Sequence, residues 1–167
     1  MDFDFASTYL EDIKQRYQYL KSLADRALTQ VRDEELPLAI DEESNSLTVL
    51  MKHLSGNMIH FWTDPFSPED ERPPRHRDLE FVVEEGDTKE VAFERWERAW
   101  DVFLESLGRL KPDDLGRSII LRGEEYMLLR FLNRNFRHYA VHVGQIMFLA
   151  KHFRGRDWQS LSVPRKR

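Results

Sequence analysis

The stretch RHYAVHVGQI, residues 137–146, places His138 and His142 four residues apart in a segment whose apolar residues recur at helical spacing. A helix advances about 1.5 Å and about 100° per residue, so positions i and i+4 share a face roughly 6 Å apart. The inward stripe of this helix runs Leu128, Leu132, Asn135, His138, His142, Gln145, Leu149. Its apolar character is broken by a polar island of four residues. Two imidazoles on a face that should be buried have two explanations. Either they converge on one metal ion, or each is satisfied by hydrogen bonds near the surface of a helical assembly. The HxxxH spacing alone does not choose between them.

Outward from this helix the chain reads as mostly helical. Tyr9, Ile13, Tyr17, Leu20, Ala24, Ala27 and Val31 step by three and four and predict a first helix over residues 4–31. ELPLAIDEESN, with Pro37 and its acidic cluster, reads as a loop. A polar cap at Ser44 to Ser46 opens a second helix carrying Leu47, Leu50, Leu54 and Phe61. Residues 63–87, TDPFSPEDERPPRHRDLEFVVEEGD, hold four prolines, which forbids a continuous helix. A segment this long without regular structure is often functional, and it is expected to cover one end of the helices. Asp87 and Glu90 resemble an N-cap and its reciprocal partner. The third helix follows through Phe93, Trp96, Trp100, Phe103 and Leu107, with Gly108 as its stop. RSIILRGEEY reads as strand, glycine turn and return strand. The last helix runs from near Met127 to about Phe153, ahead of the tail RGRDWQSLSVPRKR, whose basic residues are either a solvated end or an anion contact.

The fold class is therefore all-α. Four long helices, one long crossover and a short β-hairpin before the last helix form a four-helix bundle in a single domain over residues 1–167, with a right-angled helical array as the alternative. The chain shows no internal repeat. Apolar residues make up 41%, including eleven Phe and four Trp, which excludes a disordered chain. No run of about 18 apolar residues is present, so no membrane-spanning helix is expected, and the N-terminal residues lack the pattern of a secretory signal. Cysteine is absent, which rules out disulfides and protein thiolate chemistry and points to the cytoplasm. A net charge of -5 argues against nucleic acid as a partner.

His53 sits mid-helix in TVLMKHLSGNMIHFW. If its helix faces the last one, His53, His138 and His142 offer three nitrogen ligands and leave a coordination position open, as in catalytic rather than closed structural sites. His60, two turns further on, is either the competing ligand or a pocket-lining residue. His76 and His152 read as solvated. Trp96 and Trp100 read as core. Asn57, one turn beyond His53, either orients a ligand or packs against a neighbouring helix. Gly144 and Gln145 fit close packing beside the histidines. Arg130, Arg134 and Arg137 form a solvated stripe. Arg75, Arg77 and Asp78 in the proline-rich segment either clamp a carboxylate or phosphate of a small-molecule substrate, or pair among themselves and order the loop.

The histidine within KHLSGN, the hairpin, and HYAVHVGQI together resemble the DinB-like superfamily, which includes the YfiT-type proteins. The last motif is similar to that family's H-x-x-x-H-x-G-Q-I signature, and the likeness spans nearly the whole chain. RHRDLEF, residues 75–81, further resembles the DUF1572 subgroup. The resemblance implies a four-helix bundle in up-down-down-up order, often a homodimer. It implies a divalent metal, zinc or nickel, on the matching His53, His138 and His142. Relatives with an assigned activity are thiol-dependent transferases and isomerases that take a low-molecular-weight thiol. Such a thiol has to come from outside a chain without cysteine. Three classes follow: a metal-dependent transferase or hydrolase acting on a small molecule, a metal- or ligand-binding protein without turnover, and a bundle in which the polar island is structural.

Overall fold

The computed structural model describes residues 4–163. Helix α1 spans Phe5–Leu28, opened by Asp4, whose carboxylate accepts the Ser7 amide at 3.1 Å. It buries Leu10, Ile13, Tyr17, Leu20, Ala24 and Ala27, the face that the periodicity marks. It ends three residues earlier than expected. The backbone tightens there to Gln30–Ala27 and Val31–Leu28 bonds, and Arg32 then pairs with Glu35 across a short 3-10 turn. Val31 is still buried, although it lies beyond the helix.

Helix α2 spans Leu47–Trp62 and is capped by Ser46, whose hydroxyl accepts the Val49 amide at 3.2 Å. Helix α3 spans Lys89–Arg109. Its N-cap is Thr88 rather than Asp87, because the Asp87 carboxylate is taken by Lys52 Nζ at 2.6 Å. It runs one residue past Gly108 and stops where Pro112 forbids continuation. Strands β1, Ser118–Leu121, and β2, Glu124–Met127, pair antiparallel with Ile119 opposite Tyr126. Arg122 and Gly123 carry the turn at φ 54° and 76°, the pair of positive values that a two-residue hairpin requires. Helix α4 then spans Leu128–Arg154 and ends on Gly155 at φ 51°. The basic tail residues Arg165, Lys166 and Arg167 lie outside the described residues.

One apolar core joins all four helices. At its centre Tyr17 of α1 meets Phe103 of α3 edge-on at 4.6 Å, and Trp62 of α2 meets the same ring at 4.9 Å. Aromatic edges on faces add to the apolar burial. The Tyr17 hydroxyl donates to the Leu132 carbonyl of α4 at 2.8 Å, and Trp96 Nε1 donates to Asp25 of α1 at 2.9 Å. Trp96 and Trp100 are fully buried, as the spacing predicts. No helix among the described residues is long and apolar enough to cross a membrane.

Residues 63–88 contain no long helix, only 3-10 turns at Glu69–Glu71 and Arg77–Phe81. They are strapped down at several points. Buried Arg72 donates to the Ile120 carbonyl of β1 at 2.7 Å, the Glu69 carboxylate accepts the Arg122 and Gly123 amides, and Lys52 Nζ of α2 donates to the Val82 carbonyl at 2.8 Å. This strap carries its second turn onto the middle of α2, beside His53.

Candidate metal centre

Helices α2 and α4 lie side by side where their histidines fall. His53 Nε2 is 3.1 Å from His138 Nε2, and His142 Nε2 is 3.1 Å from the same atom. The three ligand atoms lie within 4.8 Å of one another, the one such group of three among the described residues. His53 is buried, and His138 and His142 are half-buried. The i, i+4 spacing on α4 supplies two imidazoles on one face, and the neighbouring helix supplies the third.

The rear nitrogens are held. His53 Nδ1 lies 3.0 Å from Glu80 Oε2, and His142 Nδ1 lies 2.7 Å from Gln145 Oε1. A carboxylate or an amide oxygen only accepts, so both rings carry their proton on Nδ1 and present the unshared pair of Nε2 to the common point. Glu80 is itself gripped by Arg75, with Nε to Oε1 at 2.6 Å and Nη2 to Oε2 at 2.7 Å, a bidentate fork. Burial pushes the Glu80 carboxyl up, but the bonds from His53 and Arg75 outweigh it, and the group rests below its ordinary value. Burial, and then the neighbouring His142 and His53, push His138 down to about 3, so it is a neutral donor at physiological pH. Burial also lowers His142, against the opposing bond from Gln145.

The donor set fits a divalent transition ion. Three imidazole nitrogens, those of His53 and His142 oriented from behind, suit zinc, nickel, cobalt, iron or copper, and no carboxylate oxygen stands among them.

His60 turns away, its Nδ1 donating to the Pro73 carbonyl at 2.8 Å, where it anchors the strap. His76 and His152 are exposed. Asn57 is buried, and its Oδ1 accepts the Tyr139 hydroxyl at 3.0 Å. Arg77 is exposed and lies over the Phe81 ring at 5.0 Å, and Asp78 is exposed. Arg75 pairs with Glu80 rather than with Asp78, and it lines a cavity of about 360 Å³ with Lys52, Ser55, Ile59 and Leu79. None of the three histidines lines that cavity, which lies against Glu80. In the polar island, Asn135 is fully buried, and its amide makes no hydrogen bond among the described residues.

Glu80 was invisible to spacing arguments. It sits within RHRDLEF, but no periodicity operates in a proline-rich segment. Its partner His53 is 27 residues away in the chain.

The match to the family described as protein of unknown function (DUF1572) covers residues 4–167. The chain belongs to the DUF1572 family. A comparison with curated proteins returns no match. For this DUF1572 chain the family description names no chemistry, so the functional reading rests on the histidine cluster itself.

Proposed function

We propose that this DUF1572 protein is a metal-dependent enzyme built on a DinB-like four-helix bundle in up-down-down-up order, with His53, His138 and His142 holding a divalent ion, zinc or nickel. The observation that carries this reading is the convergence of three Nε2 atoms within 4.8 Å, two of them with their tautomer fixed from behind. Three protein ligands leave room for a small molecule, the arrangement of catalytic sites. A divalent ion so held lowers the pKa of a bound water or thiol and supplies a nucleophile near neutral pH. The chain holds no cysteine, so a thiol nucleophile is a low-molecular-weight co-substrate, and the reaction is a thiol-dependent transfer or a hydrolysis acting on a small molecule. Arg75, Arg77 and Asp78 are the proposed ligand-facing residues, and Arg75 has the added support of lining the cavity; Asn57, bonded to Tyr139, is assigned to the core. A homodimer and a cytoplasmic location belong to the same proposal. The second reading, a metal-binding bundle without turnover, shares the histidine cluster and differs only in lacking a reaction.

The test begins with metal content. Untagged protein is expected to carry one equivalent of divalent metal. His138→Ala/His142→Ala is expected to carry none and His152→Ala to remain loaded, since a three-ligand site has little redundancy. Full loading of the double variant refutes the site. Turnover of a small electrophile on adding a thiol separates the enzyme from the binding protein.

A further inference from the structure

We propose that Glu80 is the positioning residue of this centre, that Arg75 and Gly56 exist to hold its carboxylate in place, and that metal affinity depends on that carboxylate. The proposal rests on the histidine cluster being a metal site and goes beyond it by naming the group that sets its strength.

Three observations converge on Glu80. It is 8% exposed in the finished fold, and both of its oxygens are engaged, Oε1 by Arg75 and Oε2 by Arg75 and His53. An imidazole whose rear N–H is bonded to a carboxylate is oriented and is a more basic donor from its other nitrogen. The second observation is at Gly56 of α2, one turn from His53. A Cβ built there overlaps Glu80 Oε1 and lies 3.0 Å from its Cδ and 3.6 Å from Arg75 Nε. The helix gives up a side chain at the point where the carboxylate seats against its backbone. Glycine is unfavourable inside a helix, so its presence here has a steric reason. The third is the contrast with the other rear partner. Gln145 is neutral, exposed, and three residues from His142 on the same helix, so its bond is local and solvent competes with it. Glu80 comes from a separate segment, is charged, and is locked by a guanidinium fork. The strong hold on the centre is therefore at His53.

The bland alternative is that the Arg75–Glu80 pair only orders the strap. The two roles separate by measurement. Cobalt(II) is added to wild type, Glu80→Gln, Gly56→Ala and Gln145→Ala, and the Kd is read by chelator competition together with the visible d–d spectrum. Glu80→Gln keeps the size of the side chain but has a single acceptor oxygen where Arg75 and His53 need two. Gly56→Ala keeps every ligand, Glu80 and Arg75, and moves only the carboxylate. Alanine favours the helix, so this variant stays folded. Both are expected to lose about 10- to 100-fold in affinity, the range for removing a partner behind a ligand histidine, and to shift the cobalt spectrum. Gln145→Ala is expected to lose less than either. If Glu80→Gln and Gly56→Ala bind cobalt as wild type does, with an unchanged spectrum, Glu80 only orders the strap and the proposal is overturned. If wild type itself takes up no cobalt, the metal reading falls and this proposal falls with it.

Discussion

Asn57 and Tyr139 form a polar pair inside the core, with Tyr139 fully buried and its hydroxyl donating to Asn57 Oδ1 at 3.0 Å. Burial raises the Tyr139 phenol well above its ordinary value, so it stays a neutral donor. The bond gives Asn57 a role that needs no ligand. Asn57→Ala leaves a buried hydroxyl without its acceptor, at a cost of about 2 kcal/mol in unfolding free energy. Urea unfolding is expected to show that loss while metal stoichiometry stays at the wild-type value. Loss of metal in Asn57→Ala at wild-type stability would reverse the assignment and make Asn57 an orienting residue of the centre. Sequence narrowed this residue to two roles, and only the fold could show which neighbour its amide meets. The same limit applied to Glu80. Nothing in RHRDLEF singles Glu80 out, yet the flanking Leu79 and Phe81 are exposed and the acid between them is buried.

At the scale of the element, the four helices and the hairpin were legible because each carries its own signal. Periodic apolar faces, Ser46 as cap, the Arg122–Gly123 turn and the prolines of residues 63–87 are local features. The failures were at boundaries where a distant residue intervenes. Asp87 has the chemistry of an N-cap, but Lys52 of α2 claims it, and Thr88 takes over. Asp87 is thus a tertiary anchor. Its side chain is 3% exposed and accepts from Lys52 at 2.6 Å and Arg95 at 3.2 Å. Burial raises its pKa, but the Lys52 bond, the Glu84 amide and the charge of Lys52 outweigh that, and the carboxyl lies below its ordinary 3.8. The folded state therefore binds its proton less readily than the unfolded state does. The resulting stabilisation is fully present above about pH 3.8 and is lost as pH falls through the lowered folded value. Asp87→Asn is expected to destabilise by about 2 kcal/mol at pH 7, since it leaves Lys52 short of a charged partner. The gap to wild type should narrow below pH 3.8. Equal differences at pH 7 and pH 3 in urea unfolding would show that the charge of Asp87 contributes nothing.

At the scale of the whole molecule, residues 63–88 connect the hairpin end of the protein to the histidine cluster. Their attachments are of two kinds. Arg72 to Ile120, Glu69 to the turn of the hairpin, and His60 to Pro73 hold the first half without reference to the centre. The second half closes on α2 through Lys52 and through Glu80, and Glu80 is bonded directly to His53. An ion that fixes His53 removes freedom from Glu80 and, through the fork, from Arg75. Local opening of the Arg77–Phe81 turn then requires breaking a bond to a ligated ring, so the open state becomes rarer. Amide exchange should report it at Leu79 and Val82, whose N–H groups donate to His76 and Leu79 within that turn. On adding zinc, those amides are expected to slow several-fold, while Arg122 and Gly123 in the hairpin turn, held by Glu69, stay unchanged. In His53→Ala the response of the turn should vanish, although the first half of the strap is still attached. Slowing that spreads equally over both halves would mean that metal stiffens the protein as a whole. Slowing confined to Leu79 and Val82 and abolished in His53→Ala would trace the connection through the Glu80–His53 bond.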